Sequence, residues 1–490
     1  MKFSLRPIFR IVGMTTTAVG ITMIPAFVVS LICREFREGI MFLLLGIATI
    51  AVGTLTVRLC SLHRREKKDL GIGDGLLTLT LCWVVLALIG SIPYLLTGVI
   101  DRPASAFFES CSGFTTTGAT VLDEINHLPR GIIFWRSMTC WAGGIGILLF
   151  AIALMPALGI NAQRLNAVDI HGPTLDEVTP KMITTVRGIT LFYLGMTLAE
   201  TILLTLSGMT VFNGLIHSMS TVSTGGFSRY DNNLEHFGGI AVPVIVMIFM
   251  ILSAVNFNLY ISAFRNGLRA FARDTELKAY GAIIAGSGLI LTAILFFTHS
   301  SRDLVGSAVN GFFQAISLLT TTGFTTTDYR IWPQIAQMIL LTLMFIGACS
   351  SSPGGGLKIA RAMVTLKLIR HGISMRLHPN FFETVKMNGQ GMPSDKVSGA
   401  VTVPFLYLTA LFAGVFLLTF TGVAMPDAFS SGIACLCNTG TAFASGGLHS
   451  ACADYPEAAK LILSIMMIGG RLELYSLFVL ISPKYWTRSY

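Results

Sequence analysis

Gly311-Phe-Phe-Gln-Ala-Ile-Ser-Leu-Leu-Thr-Thr-Thr-Gly-Phe-Thr325 decides how this 490-residue chain is read, because related segments occur at three other places. They are Ala106-Phe-Phe-Glu-Ser-Cys-Ser-Gly-Phe-Thr-Thr-Thr-Gly-Ala-Thr120, Gly214-Leu-Ile-His-Ser-Met-Ser-Thr-Val-Ser-Thr-Gly-Gly-Phe-Ser228 and Ala428-Phe-Ser-Ser-Gly-Ile-Ala-Cys-Leu-Cys-Asn-Thr-Gly-Thr-Ala442. The four align without a gap on Gly118, Gly226, Gly323 and Gly440, which recur about once every hundred residues, the mark of an internal repeat. Each copy stands between two long apolar runs and precedes a polar turn. A single Thr-Thr-Thr-Gly is a common turn and carries nothing; four related segments in matching surroundings carry the argument.

The surroundings are those of a membrane. The chain is 53% hydrophobic and only 12% charged, against about a quarter charged residues in soluble domains. Runs such as Phe42–Val57, Leu77–Ile89, Ile240–Val255 and Val403–Phe420 are almost free of charge. With their flanks they reach the roughly 20 residues that cross a bilayer as helix, and ten such spans are expected. The first, Ile11 to Ile32, is too long for the core of a cleaved signal and lacks a small-residue cleavage site. The net charge of +9 gathers at Lys2–Arg10, Arg58–Lys68, Arg164–Arg187, Arg265–Lys278, Lys358–Lys396 and Lys484–Arg488, which hold most of the 34 Lys and Arg. With both termini cytoplasmic, every cluster faces the cytoplasm, as the positive-inside rule requires. Contact with anionic lipid accounts for the basic charge, and no nucleic acid is needed. The nine cysteines follow no zinc or disulfide spacing; Cys435 and Cys437 read as packing residues.

About ten weakly apolar residues are too few to cross, so each repeated segment is expected to re-enter the membrane. Irregular backbone survives at that depth only when buried in protein or lining water. Glycine opens backbone angles closed to other residues, and the neighbouring Thr and Ser bring hydroxyls. Four such strands around one axis would offer rings of oxygen to a monovalent cation in place of its hydration shell. The expected filter is Thr116, Thr117, Gly118 and Ala119; Thr224, Gly225, Gly226 and Phe227; Thr321, Thr322, Gly323 and Phe324; and Asn438, Thr439, Gly440 and Thr441. The short helix before each strand would aim its partly negative C-terminal end at the ion. Asp123, Glu124, Asp231 and Asp328 follow the strands and read either as cation-enriching charges at the outer mouth or as plain surface charges. Glu109, replaced by His217 and Gln314 in two other copies, reads as a structural hydrogen-bonding residue rather than an ion ligand.

Phe107–Leu122, Ser223–Phe227 and Thr320–Phe324 resemble the first three pore loops of the Trk/Ktr/HKT superfamily of potassium transporters. Phe345–Lys358 is similar to the loop that interrupts the third repeat in that family, and Gly470–Leu480 to its last helix. The likeness covers the chain from residue 71, and the extra N-terminal pair of spans favours the Trk branch. Asn438–Ala442 is the least typical filter copy. The resemblance implies K+ uptake across the cytoplasmic (inner) membrane. It also implies a homodimer seated on a cytosolic ring of nucleotide-binding regulatory subunits, where any NAD or ATP control would lie; no nucleotide motif occurs on this chain.

Two features lie beyond the filter. In Cys349-Ser350-Ser351-Ser352-Pro353-Gly354-Gly355-Gly356, between the apolar run Trp332–Ile346 and a helical stretch Leu357–Arg370, proline and three glycines oppose a continuous helix. The phosphate-loop pattern is missed, since Gly-Leu-Lys stands where Gly-Lys-Ser/Thr is required. The resemblance places this segment under the filter as a gate; the alternative is a plain helix kink. Arg471 lies deep in the last span, where a charge costs on the order of 3 kcal/mol on insertion scales. It reads as pore-facing, with pairing to Glu473 as the alternative. Glu200, also within a span, keeps K+/H+ or K+/Na+ symport alive against a gated channel. A membrane-embedded enzyme would need convergent His, Asp or nucleophile clusters, which the spans lack. The expected fold is therefore an all-α polytopic membrane protein, with an N-terminal helix pair (1–70) and four helix–pore loop–helix repeats (71–162, 163–272, 273–390 and 391–490) in pseudo-fourfold arrangement. The gating loop falls in the third repeat.

Overall fold

The structure is a computed structural model, and it describes residues 5–61, 72–149, 178–267, 269–298, 303–378, 385–441, 443 and 452–487. Lys2, the basic residues from Arg64 to Lys68, Arg164, Ala442 and Arg488 lie outside the described residues. The described chain is helical, apart from a two-residue antiparallel hairpin, β1 (Lys386–Met387) and β2 (Gln390–Gly391).

Helices α1 (Leu5–Ile32) and α2 (Phe36–Ser61) form an antiparallel pair. Their glycines allow the close approach: a Cβ on Gly20 would lie 2.9 Å from the Gly46 carbonyl oxygen, and one on Gly53 2.6 Å from the Thr17 nitrogen. Small residues serve helix contacts in lipid in this way, since no hydrophobic drive separates helix from lipid tail there.

Four units follow, each a long helix, a short helix and a second, mostly shorter helix. The first is α3 (Ile72–Thr97), α4 (Pro103–Phe114) and α5 (Arg130–Leu149); the second is α6 (Val178–Leu206), α7 (Val211–Val222) and α8 (Ala241–Ala254). Two small helices, α9 (Phe257–Asn266) and α10 (Arg269–Arg273), lead to the third: α11 (Thr275–Phe297), α12 (Leu304–Leu319) and α13 (Gln334–Ile346). Helix α14 (Ile359–Leu377) and the hairpin precede the fourth: α15 (Ser394–Phe420), α16 (Met425–Leu436) and α17 (Glu457–Arg471), with α18 (Tyr475–Ile481) and α19 (Pro483–Thr487) closing the chain. The short helices start where the sequence supplies caps. Thr210 accepts from the Asn213 N–H at 3.3 Å and Asp303 from the Gly306 N–H at 3.2 Å, while α4 and α16 carry proline in their first turn.

Among the described residues six single helices are long and apolar enough to cross a membrane, α1, α2, α3, α6, α11 and α15, and up to eight spans result if the bent pairs α8–α9 and α17–α18 each count as one. The second helices of the units are shorter, more polar or broken. Helices α8 and α9 meet at 84°, α17 and α18 at 116°, and twelve non-helical residues, 347–358, separate α13 from α14. The breaks have local causes: Asn256 caps the start of α9, Gly347 has φ 75°, and Glu473 and Leu474 both take left-handed angles (φ 56° and 64°). Broken helices are tolerated at membrane depth where the freed backbone is buried in protein, and here Val255, Asn256, Ala348, Leu472 and Leu474 at the breaks are buried.

Candidate functional site

All four short helices end in one local structure. In each, the residue after the cap is left-handed although it is not glycine: Thr116 (φ 53°), Thr224 (57°), Thr321 (57°) and Asn438 (54°). Its N–H returns to the helix: Thr116 to the Gly113 carbonyl, Thr224 to Thr221, Thr321 to Leu318 and Asn438 to Cys435. The next N–H reaches five residues back, from Thr117 to Ser112, Gly225 to Ser220, Thr322 to Ser317 and Thr439 to Ala434, at 2.8–2.9 Å. This pair of bonds is a Schellman motif, which usually places glycine at the left-handed position. Threonine there costs on the order of 1 kcal/mol, and the geometry recurs in every copy. Asn438, the atypical residue, is the type best suited to left-handed angles after glycine, and its amide donates to the Thr117 hydroxyl and the Met467 carbonyl, both at 3.0 Å.

Two residues beyond each left-handed position stands the aligned glycine, again with positive φ: Gly118 85°, Gly226 65°, Gly323 80° and Gly440 80°. A Cβ on Gly118 would overlap the carbonyl oxygen of Gly225; one on Gly226, that of Thr322; one on Gly323, that of Thr439; and one on Gly440, that of Thr117. The contacts run from strand one to two, two to three, three to four and four to one. The strands therefore close into a ring within a single chain, and all sixteen residues expected in them are brought together there. Hydroxyls brace two copies from within, Thr115 with Thr117 at 2.7 Å and Thr320 with Thr322 at 2.8 Å.

Behind the first strand lies a buried ion pair. Glu109 accepts from Arg136 Nε at 2.8 Å, from the Thr120 hydroxyl at 2.8–2.9 Å and from the Val121 N–H at 3.0 Å. Its partner's guanidinium sits 4.1 Å over the Phe227 ring and reaches the Ser228 carbonyl at 3.3 Å, joining strands one and two. Glu109 is thus a structural hydrogen-bonding residue, as read from sequence. His217 repeats the arrangement, with Nε2 3.2 Å from the Ser228 hydroxyl. Arg136, inside α5, was not singled out in the sequence; a basic residue mid-span was the available signal. Both side chains are essentially fully buried, so removing one partner strands a charge. Arg136→Leu is expected to lower stability by about 3–5 kcal/mol, and Glu109→Leu with Arg136→Met to recover much of it; thermal unfolding of the solubilised proteins measures both.

The segment 347–358 packs beneath the ring. Gly355 N–H donates to Thr321 Oγ1 at 2.6 Å, and a Cβ on Gly355 would overlap the Cys437 carbonyl. Glu276, in the first turn of α11, accepts from Ser350 N–H at 2.7 Å and Ala360 N–H at 3.2 Å, tying the segment to the start of α14. The segment is a packed loop rather than a kink, and the helix after it begins at Ile359 instead of Leu357. Arg471 is buried and donates to the Pro353 carbonyl, and at 3.4 Å to that of Gly143 in α5. Its alternative pairing with Glu473 is overturned. Glu473 lies in the left-handed turn after α17 and holds Arg361 of α14 instead.

The model of the cation transport protein family TrkH matches residues 39–488. This chain belongs to the TrkH family. The Trk system potassium uptake protein TrkH of Vibrio parahaemolyticus is 34% identical over 493 residues, covering 98% of this chain and 99% of that protein. TrkH of Escherichia coli K12 is 33% identical over 485 residues, covering 98% and 99%. The crystal structure of the potassium transporter TrkH from Vibrio parahaemolyticus superposes with a TM-score of 0.89 at 32% identity, covering 99% of this chain and 100% of that one. The likeness to the Trk branch expected from the motifs is borne out, and TrkH membership places the chain among transport proteins rather than enzymes.

Within this TrkH chain the acidic residues after the strands divide. Asp231 accepts from the Ile125 N–H at 2.6 Å and from the Asn126 amide, and Asp328 pairs with Arg330 at 2.9 Å. Both hold loops together. Asp123 faces Asp454 and Glu124; burial, and then these two charges, push its carboxyl above the usual range against the pull of Lys460. Glu200 of α6 is fully buried, with the Thr221 hydroxyl of α7 beside its carboxyl. Among the described residues no group of three or more His, Cys, Asp or Glu is placed to hold a metal.

Proposed function

We propose that this chain takes up K+ across the cytoplasmic membrane, with the ion passing through the ring of four glycine strands. The observation that carries the reading is the closed cycle of glycine-to-carbonyl contacts, each strand following a helix that ends in the same way. Such a ring presents backbone oxygens at fixed spacing to a dehydrated ion. The four helix ends around it add partial negative charge, about half an elementary charge each before screening. Relatives named as potassium uptake proteins, similar over nearly their whole length, support K+ as the cargo. The filter comprises residues 116–119, 224–227, 321–324 and 438–441. Cys349–Gly356 is the gate, and Arg471 anchors it from the pore side. In this reading an N-terminal helix pair (1–70) precedes four pore repeats (71–162, 163–272, 273–390 and 391–490), with both termini cytoplasmic.

Gating comes from a partner in this reading. The chain forms a homodimer, and a cytosolic nucleotide-binding subunit grips the basic stretches Arg265–Lys278 and Lys358–Lys396. Helix α14 runs from the loop into the second of these, so a pull there reaches the gate as a hinge motion. Coupled symport is the second reading, and Glu200, a carboxyl fully buried within a span, is the observation that favours it. Flux into vesicles containing the purified chain and its cytosolic partner tests the function. K+ and Rb+ are expected to enter and Na+ to be strongly disfavoured; equal Na+ and K+ entry would overturn the K+ assignment. A reversal potential that follows a pH step would favour symport.

A further inference from the structure

In the loop beneath the ring, each carbonyl from Ser351 to Gly356 has a partner. Ser351 accepts from the Phe257 N–H at 3.2 Å, Gly355 from the Ala348 N–H at 3.4 Å and Gly356 from the Tyr407 hydroxyl at 3.2 Å. These are neutral donors, the usual solution for buried backbone. The three between are held differently. Lys358 Nζ donates to Ser352 O at 3.3 Å and to Gly354 O, and Arg471 donates to Pro353 O. Three successive carbonyls are thus occupied by two positively charged side chains, both buried.

Lys358 reaches this position at a conformational cost. Its backbone has φ 76° and ψ 132°, a region essentially reserved for glycine. Strain of this kind persists only where surrounding contacts over-determine it. Here the contacts include the flanking backbone bonds from the Leu357 N–H to Phe345 O and the Ile359 N–H to Ala348 O, and the ammonium folded back onto its own loop. An alkylammonium is a compact point charge that donates in several directions, and it resembles a dehydrated K+ ion in charge and in its appetite for carbonyl oxygen.

We propose that the carbonyl oxygens of Ser352, Pro353 and Gly354 form a binding site for a dehydrated monovalent cation, which Lys358 and Arg471 fill as tethered cations while the loop is closed. A permeating K+ takes the place of the Lys358 ammonium when the loop moves. The closed loop is in this sense blocked by its own counterfeit ion. The proposal rests on the loop lying in the ion path, as argued above.

Lys358→Met keeps the length of the side chain and removes the charge, leaving the site open to a real ion. The experiment is thermal unfolding of wild type and variant in KCl and in N-methyl-D-glucamine chloride at equal ionic strength. The variant is expected to be less stable without K+, and the gap in Tm to narrow as K+ rises from about 1 to about 100 mM, as linkage requires of a site available only in the variant. Tl+ soaked into crystals of the variant is expected at the three carbonyls. If Lys358→Met does not fold, Lys358→Gln, which keeps a donor without the charge, is measured in the same way. A Tm gap indifferent to K+, with no Tl+ at the loop, would overturn the proposal and make Lys358 a structural clasp. Basal flux of a loop-shortened protein separates the two readings. Shortening that opens the pore beside a K+-indifferent gap keeps the gate and removes the cation site. Shortening without effect beside a K+-dependent gap does the reverse.

Discussion

Gly323→Ser is expected to cut the preference for K+ over Na+ by at least about tenfold, equivalent to roughly 1.4 kcal/mol. Two effects combine. At φ 80° a side chain is strained whatever the space around it. Its Cβ would also overlap the Thr439 carbonyl oxygen, which belongs to the next strand. That strand's own glycine, Gly440, meets the Thr117 carbonyl, so the displacement travels around the ring. Selectivity needs the oxygens held at set positions, and a ring forced open at one joint no longer holds them. Gly118, Gly226 and Gly440 are expected to behave alike. Gly98 is the control: its φ is also positive (70°), but nothing lies within 4 Å of its would-be Cβ, so Gly98→Asn should leave selectivity intact. Paired Na+ and K+ fluxes in vesicles measure this, and unchanged ratios in all four ring variants would remove the filter assignment.

Shortening Ser350–Gly355 is expected to give a protein that passes K+ without its cytosolic partner, with basal flux raised at least about tenfold, the size of change that a loss of roughly 1.4 kcal/mol from a closed state produces. The loop's contacts explain why. It is pinned to the ring by Gly355 on Thr321, to α11 by Glu276 and to the last span by Arg471. Selectivity should survive, because the strands keep their own Schellman bonds. Arg471→Ala is the milder version: it frees the Pro353 carbonyl and removes a positive charge beneath the ring, and basal flux should rise in a protein that remains folded. Low flux in a folded, loop-shortened protein would place the gate elsewhere.

Much of the architecture was legible because it is written four times. A glycine at one offset in four segments, each between apolar runs, suffices to align the units; the Schellman ends were not legible, because threonine or asparagine stands where that motif usually has glycine. The pairings behind the ring were not legible. Glu109 finds Arg136 across 27 residues, and Glu276 caps Ser350 across 74, distances at which no periodicity operates. The broken second helices were missed for a related reason. Ala241–Ala254 reads as one unbroken apolar run into Val255, and its 84° turn is fixed by Asn256 and by packing on other units. Arg471 was recognised as an anomaly because charge is costly in lipid, but its partners are the backbone carbonyls of Pro353 and Gly143, and a carbonyl has no sequence signature. Lys358 was hidden in the other direction, since a lysine at the start of a basic stretch gives no sign that it folds back.

Because the ring is made within one polypeptide, its quarters inherit separately. In an assembly of four identical chains every exchange of residue enters the pore four times over, and all but the mildest are ruinous. Here an exchange enters once, and one that leaves the glycine joints intact is tried in a single quarter while the other three keep their residues. Asn438 stands where its counterparts are threonine, keeps the same left-handed turn, and adds amide bonds to Thr117 and Met467 that no threonine could make in the same way. Duplication within a chain thus turns a symmetric aperture into one that descent can retune a quadrant at a time.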